Sequence, residues 1–404
     1  MILNNSSIYH KLFCIFIFAF ISRLIFTYFF WNLNYPLIED EKSYYRIAAI
    51  YFNDGFFNST ISYRVPLNSL IIIPLIKFFS QEEIVFFIRL LMITISSISC
   101  ILFFLNCKEL KINEKNSILI TIFYSLYPFS LFLSSRYLSE NLAVLLLLCI
   151  SLSYIKYNNL KNYKFLLLTS FFLALVTLTR SAFYYLIFIL IFLIFIEKNN
   201  FKLKFFKIIL MLSVFYITLS PWIIKNYIHH NEFIPTTSRL GYGLWLSNND
   251  FSDNIIKRGG YNRTINYQKH IDISNNIENV TDRSNYLITK SLENIYEIKF
   301  NYLKILFKRF INTFHFKPNP YQDYKKNDYM MLVYILPVYI FFLKGIFTIR
   351  LNYNISFFLL SILYVTLIHL PFYGFPRFRY PVDSFIIILS GRAFFIFLNK
   401  IKKN

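Results

Sequence analysis

Cysteine, acidic residues and ordered metal-ligand spacings are all scarce in this 404-residue chain. The four cysteines, Cys14, Cys100, Cys107 and Cys149, fall in or beside apolar runs and form no CxxC pair. That excludes a disulfide framework or a zinc site and leaves them as small apolar packing residues. His229, His230 and His270 stand at no metal-binding spacing, and the lone His315 and His369 read as packing histidines. No small-residue cleavage site follows the apolar stretch 12–31, which therefore reads as a retained first span rather than a signal peptide. There is no internal repeat of the transporter type.

What is abundant is apolar and aromatic surface. Hydrophobic residues make up 56% of the chain, with 49 Phe and 32 Tyr, against about 45–50% apolar in a soluble domain. One soluble core of this size has no room for so many rings, so lipid must serve as a second apolar solvent. The net charge of +21 would by itself suggest nucleic acid. The charges instead sit in short clusters between apolar runs, as the positive-inside rule requires, so no nucleic-acid partner is expected.

The apolar runs predict an all-α polytopic membrane protein with about ten spans: 11–31, 84–107, 116–134, 140–156, 165–180, 181–197, 207–224, 328–346, 353–371 and 381–399. Every second connection is lysine-rich: Lys108, Lys111 and Lys115; Lys156, Lys161 and Lys164; Lys198, Lys202, Lys204 and Lys207; Lys344 and Arg350; and Lys400, Lys402 and Lys403. These are assigned to the cytoplasm, which puts 32–83, 134–140, 225–327 and 371–380 outside an inner (plasma) membrane. The run 66–79 holds Pro66 and Pro74 and is too short to span. Counting it would invert every later connection, so it reads as an interfacial helix on the outer face. Three parts follow: an N-terminal membrane module (1–224) with 32–83 as its first outer loop, an extracytoplasmic cap (225–327), and C-terminal spans (328–404). The cap carries Gly241, Gly243, Gly259 and Gly260 with many asparagines, and its 281–311 stretch has helical spacing. A loop-rich cap packed on the spans is expected.

Ionisable residues near membrane depth are costly and so are functional candidates. Most here lie at the outer ends of spans. Glu39, Asp40 and Glu41 follow the first span, with Tyr44 and Ala48 on the helical face of Asp40. A carboxylate there gains from the helix dipole. Arg64 precedes Pro66. Arg136 and Glu140 stand four apart, as an i,i+4 ion pair or as site residues. Lys225 follows Pro221 and Trp222, an interfacial belt or a ligand site. Arg377 and Arg379 stand two apart and suit a phosphate, or simple anchoring. Several carboxylates and several arginines thus share one face. Such a set suits a base for an acceptor and cations for a leaving phosphate. Arg23 and Arg89 are the charged exceptions inside otherwise apolar spans.

An ordered set of motifs resembles a known family. DEKSYYRIA (40–48) is similar to the opening of the first outer loop in lipid-dependent glycosyltransferases of the GT-C superfamily, in the protein mannosyltransferase and aminoarabinose transferase-like group. YRVPL (63–67), RYLSENL (136–142), LTRS (178–181), SPWIIKNY (220–227), GYGLWLSNN (241–249) and PRFRYP (376–381) resemble further motifs of that group, in its order. Lys225 stands where arginine is usual, Ser181 where proline is, and Ser247 where glycine is.

The resemblance implies a GT-C-type bundle with outer-face interfacial helices. It implies Asp40 as general base and Glu140, with Glu41, as further acidic site residues. Arg64, Arg136, Lys225, Arg377, Arg379 and Tyr44 would hold the donor phosphate or substrate. The reaction implied is sugar transfer from a polyprenyl-phosphate donor to an envelope glycan, lipid or protein on the extracytoplasmic face. No cofactor is assigned, and a divalent metal between Asp40 and Glu140 stays open. The competing readings are a lipid or sugar transporter or flippase, which should show repeats or midplane charges, and a structural partner of an envelope assembly.

Overall fold

A computed structural model describes residues 5–251, 264–317 and 328–402. Gly259, Gly260 and Lys403, singled out above, lie outside these residues. The described residues are helical and contain no strand.

Six helices are long and apolar enough to cross a membrane. They belong to α1 (Asn5–Phe30), α5 (Ile84–Glu109), α8 (Ser139–Leu160), α11 (Phe201–His230), α16 (Asp328–Thr348) and α18 (Pro376–Ile401). A seventh results if α6 (Glu114–Ser125) and α7 (Pro128–Ser134) count as one span bent by 54°. The chain is therefore a multi-pass membrane protein. Four shorter apolar segments accompany these: Leu67–Phe78, α9 (Tyr163–Thr179), α17 (Tyr353–His369), and a 3-10 turn at Ser181–Phe183 leading into α10 (Leu186–Phe195).

α8 and α18 form the middle of the bundle. α8 packs on α5, α9, α17 and α18, while α18 also packs on α16 and α17. Gly391 on α18 permits one close approach, because a Cβ there would lie 2.7 Å from the Ile120 side chain. The outer helices leave large side chains uncovered, among them Phe13, Tyr28, Phe188, Ile217, Val333 and Leu343. Such surface is stable only against lipid.

The helices run alternately, and contacts sort their ends into two groups. At one end Lys11 and Lys108 pair with Glu114, Lys156 approaches Glu109, and Lys207 pairs with Glu197. Asn158 bonds Asn354 there, and Tyr353 bonds the Ile196 carbonyl. The helices α6, α9, α11 and α17 all start at this end. Each is capped by an asparagine side chain, from Asn113, Asn162, Asn200 and Asn352 respectively. The lysine clusters of the sequence and these caps thus mark one face of the bundle. The opposite end gathers the first outer loop, residues 134–140, Arg180 and Arg377.

Arg23 is fully buried inside α1 and has no carboxylate partner among the described residues. It donates to Ser96 Oγ, Ser130 Oγ and the carbonyls of Ala19 and Ser125. The α6–α7 break explains this. Pro128 cannot continue the α6 ladder, so the last α6 carbonyls are left open, and the negative end of that helix suits a cation.

Several boundaries differ from the sequence expectation. The 116–134 run is bent at Leu126–Tyr127. The 181–197 run holds only ten residues of α-helix. The run 66–79 forms two short helices, α3 (Leu67–Leu70) and α4 (Ile73–Phe78). α11 continues to His230 across Pro221, so position 225 lies within a helix rather than at a boundary. The 281–311 stretch is two helices, α14 (Val280–Ile298) and α15 (Asn301–Thr313), separated at Lys299 with φ 47°. With α12 (Leu240–Asn248) and α13 (Ile265–Asn275), the described part of the cap is largely helical rather than loop-rich. Trp245, Leu246, Tyr267 and Leu287 form its small core.

With the native cysteines changed to alanine, Lys198→Cys and Leu351→Cys should react with an impermeant maleimide from one side of sealed vesicles. Asn53→Cys and Thr289→Cys should react from the other. Labelling of Lys198→Cys and Thr289→Cys from the same side would contradict this alternation.

Candidate active site

The first outer loop is held by α2 (Asp40–Asp54), which begins after a sharp turn. Glu39 has φ 44°, a conformation uncommon for a residue with a Cβ. The turn places Asp40 and Glu41 in the first turn of α2, where the helix dipole favours negative charge. The two neighbouring carboxylates then take separate sets of partners.

Asp40 accepts from Arg64 Nη2 at 2.6 Å on one oxygen and from Arg377 Nη2 at 2.7 Å on the other. Arg377 also donates from Nε to Glu140. Glu140 is fully buried and is approached by Arg180 Nη1 at 2.8 Å. Three guanidiniums thus face two carboxylates, leaving one positive charge in excess. Asp40 keeps 32% of its side-chain surface exposed while Glu140 keeps none. Tyr44, one turn along α2, lies beneath the Arg64 guanidinium at 4.7 Å and edge-on to Tyr137. Burial alone would raise the Asp40 pKa, but Arg377 and Arg64 outweigh it and hold the carboxyl well below the usual range.

Glu41 has a different environment. It is fully buried and accepts from Arg136 Nε at 2.8 Å, Arg89 Nη1 at 3.4 Å, and the backbone amides of Ile38 at 3.0 Å and Tyr137 at 2.9 Å. Arg89 in turn donates to the carbonyls of Tyr35 and Ser135, and Arg136 covers the Trp31 ring at 5.1 Å. Burial raises the Glu41 pKa, yet Arg136 and Arg89 bring it below the ordinary value. With its acceptor positions taken up in this way, Glu41 fastens the first outer loop to α5 and to the turn before α8. Its bonds hold the loop in place.

The structure brings Asp40, Arg64, Tyr44, Glu140 and Arg377 together. Three expectations need correction. Arg136 and Glu140 do not form an i,i+4 pair, because Arg136 lies in the turn before α8 and reaches Glu41 instead. Arg377 and Arg379 do not share one ligand. Residues two apart on α18 point to nearly opposite sides, and Arg379 is buried on Asp383 at 2.6 Å with Thr313, Tyr339 and Phe129 around it. Lys225 bonds the Ile61 carbonyl and lies 4.6 Å from the Trp222 ring, so it ties α11 to the first outer loop and makes no contact with Asp40 or Glu140.

Arg180 is the site residue that sequence reasoning left out. In the sequence it stood only within the LTRS motif, with no role of its own. A charged residue closing an apolar helix is the signal that could have identified it. His369 is a packing residue as expected, bonded to the Val365 carbonyl and stacked on Phe378.

Asp40 and Glu140 do not fit a divalent cation in this arrangement. Both Asp40 oxygens and one of Glu140 are paired with guanidiniums, and no group of three His, Cys, Asp or Glu side chains converges among the described residues. No metal-dependent step is derived for them.

No protein-family model matches the chain, and no curated protein matches it.

Glu41→Gln should leave Arg89 with an uncompensated buried charge and cost about 3–5 kcal/mol, read as a large drop in thermal midpoint in detergent. Asp40→Asn, at a partly exposed pair, should cost about 1 kcal/mol or less. Because the folded pKa of Asp40 is depressed, its stabilisation is complete above the unfolded value of about 4 and lost as pH falls below it. The stability difference between wild type and Asp40→Asn should therefore be constant from pH 5 to 8 and shrink in more acidic solution.

Proposed function

We propose that this chain is a membrane glycosyltransferase of the GT-C type, moving a sugar from a polyprenyl-phosphate donor to an envelope glycan, lipid or protein. One observation carries the reading. A partly exposed carboxylate at a helix start is held between two arginines, one of them shared with a fully buried glutamate, at one end of a bundle of apolar helices. The ten spans of this reading are the six long helices, the bent α6–α7 pair, α9, α17 and the 181–195 segment. The lysine-rich end is cytoplasmic and the Asp40 end extracytoplasmic, on the positive-inside rule.

Sugar nucleotides are made inside the cell, so a site facing outward needs a donor already in the membrane. The lipid tail of that donor also accounts for an embedded catalyst. In the step proposed, the acceptor hydroxyl oxygen attacks the anomeric carbon, the bond from that carbon to the phosphate oxygen breaks, and the hydroxyl proton passes to Asp40. Polyprenyl phosphate leaves with the bonding electrons, and Arg64 and Arg377 stabilise the growing charge.

The resting ion pairs have a physical role in this scheme. Two guanidiniums make Asp40 a weak base. A donor phosphate that draws Arg64 and Arg377 toward itself weakens their hold on Asp40 and raises its basicity as the donor binds. Glu140 keeps Arg377 and Arg180 from swinging away. Displacement in one step inverts the anomeric centre.

Purified wild type should transfer sugar from at least one of a panel of polyprenyl-phosphate sugars to extracted envelope acceptors, detected by mass spectrometry. Asp40→Asn should lose at least about a hundredfold of that rate while eluting and melting as a folded protein. Retained anomeric configuration in the product would sink the one-step mechanism. Lipid translocation in liposomes by a protein that transfers nothing would replace the enzyme with a flippase.

A further inference from the structure

Among the described residues a second group of arginines lies in the cap, and it differs from the first. Arg64, Arg89, Arg136, Arg180, Arg377 and Arg379 each have a carboxylate partner. Arg239 and Arg283 have none within ion-pair distance among the described residues. Arg239 donates no hydrogen bond from its guanidinium there. Its guanidinium carbon lies 4.2 Å from the centre of the Tyr242 ring and 6.0 Å from that of the Tyr63 ring. Arg283 gives two bonds to the Ile277 carbonyl and has further N–H donors to offer.

Both arginines line the same cleft, of about 200 Å³ and open to solvent. One wall is the first outer loop at Tyr63. The facing wall is built from α12, α13 and α14, with Ser274 and Asn275 adding polar groups. The walls are fixed to each other. Thr237 Oγ1 donates to the Tyr63 carbonyl at 2.7 Å, and the Ser238 amide donates to the Ser62 carbonyl at 3.1 Å. Gly241 lets α12 lie against α14, since a Cβ there would fall 2.0 Å from the Ser284 carbonyl oxygen. Its amide donates to Ser284 Oγ at 2.9 Å.

We infer that this cleft is the acceptor subsite and binds an anionic sugar, with the phosphate or carboxylate on Arg239 and Arg283 and the sugar ring against Tyr63 and Tyr242. This assignment of the cleft to the acceptor rests on the glycosyltransferase reading. The chemistry of the walls selects the class. Unpaired guanidiniums attract anions, tyrosine faces accept the C–H side of a sugar ring, and serine and asparagine side chains pair with its hydroxyls. Position adds a second argument. Tyr63 adjoins Arg64, which holds Asp40, so the strand of loop that walls the cleft also carries a residue of the candidate active site.

The test uses full-length protein in phosphatidylcholine nanodiscs, with glucose 6-phosphate, glucose and inorganic phosphate as probes in calorimetric titrations. Wild type should bind glucose 6-phosphate saturably and at least about tenfold more tightly than either glucose or phosphate. Arg239→Gln with Arg283→Gln should weaken it at least about tenfold. Arg239→Gln alone removes no hydrogen bond to the described residues and serves if the double variant is unstable. Equal binding by wild type and variants, or no saturable binding by wild type, overturns the inference. Phosphate binding as tightly as the sugar phosphate reduces the cleft to an anion patch and overturns it too. Loss of sugar-phosphate binding when phosphatidylglycerol is added to the nanodiscs assigns the arginines to a lipid headgroup instead. Arginine-independent binding alongside normal sugar transfer sinks the cleft alone. Arginine-dependent binding without transfer from any donor sinks the glycosyltransferase reading alone.

Discussion

The arrangement at the Asp40 end depends on Arg377. Its guanidinium joins carboxylates 337 and 237 residues distant in the chain. One belongs to the first outer loop and the other to the start of a central helix. Glu140 has no contact with water, and a buried carboxylate is stable as an anion only when it is paired. Arg377 and Arg180 meet that requirement from α18 and from the end of α9. The need to neutralise Glu140 therefore brings three helix ends together. Asp40 shares Arg377 and is drawn into the same cluster while keeping a face to solvent.

Neighbouring carboxylates have come to serve different ends. Asp40 and Glu41 occupy consecutive positions in one helical turn, so their side chains diverge by about 100°. Glu41 turns inward to Arg89, Arg136 and two backbone amides, and it anchors the loop. Asp40 turns toward Arg64 and Arg377 and stays accessible. Glu41 thus gives rigid support directly behind the accessible Asp40. The same economy appears on α18, where Arg377 faces the cluster and Arg379 is spent on Asp383 inside the bundle.

The two ends of the bundle contrast in chemistry. One is marked by asparagine caps and lysine–glutamate pairs such as Lys207–Glu197, which close helix starts and face the lysine-rich connections. At the other the carboxylates are held by arginines, of which Arg89 and Arg377 each bridge several acceptors. Over that end the cap adds helices α12 to α15. Arg309 fastens α15 to the rest by donating to the Pro371 carbonyl at 2.8 Å and the Ser247 carbonyl. The cap is thus built on the connection that leads into α18 and its Arg377.

The apolar runs and the lysine alternation were legible in the sequence alone, because lipid solvation and charge placement act on local segments whatever the tertiary contacts. They determined a helical multi-pass chain, the order of its helices, and the gathering of Asp40, Arg64, Glu140 and Arg377 toward one end. Local pattern could not tell which charges pair. Arg136 stands at helical spacing from Glu140, yet the turn at 135–138 carries it to Glu41. Arg377 and Arg379 read as one cluster until α18 set them on opposite sides. Arg180 stood in LTRS without a role, and Arg239 and Arg283 carried no signal at all, since the lack of a carboxylate partner among the described residues is visible only when neighbours are in place. Burial, pairing and the cleft in the cap were decided by the tertiary structure, because desolvation depends on what packs around a charge and not on where it stands in the chain.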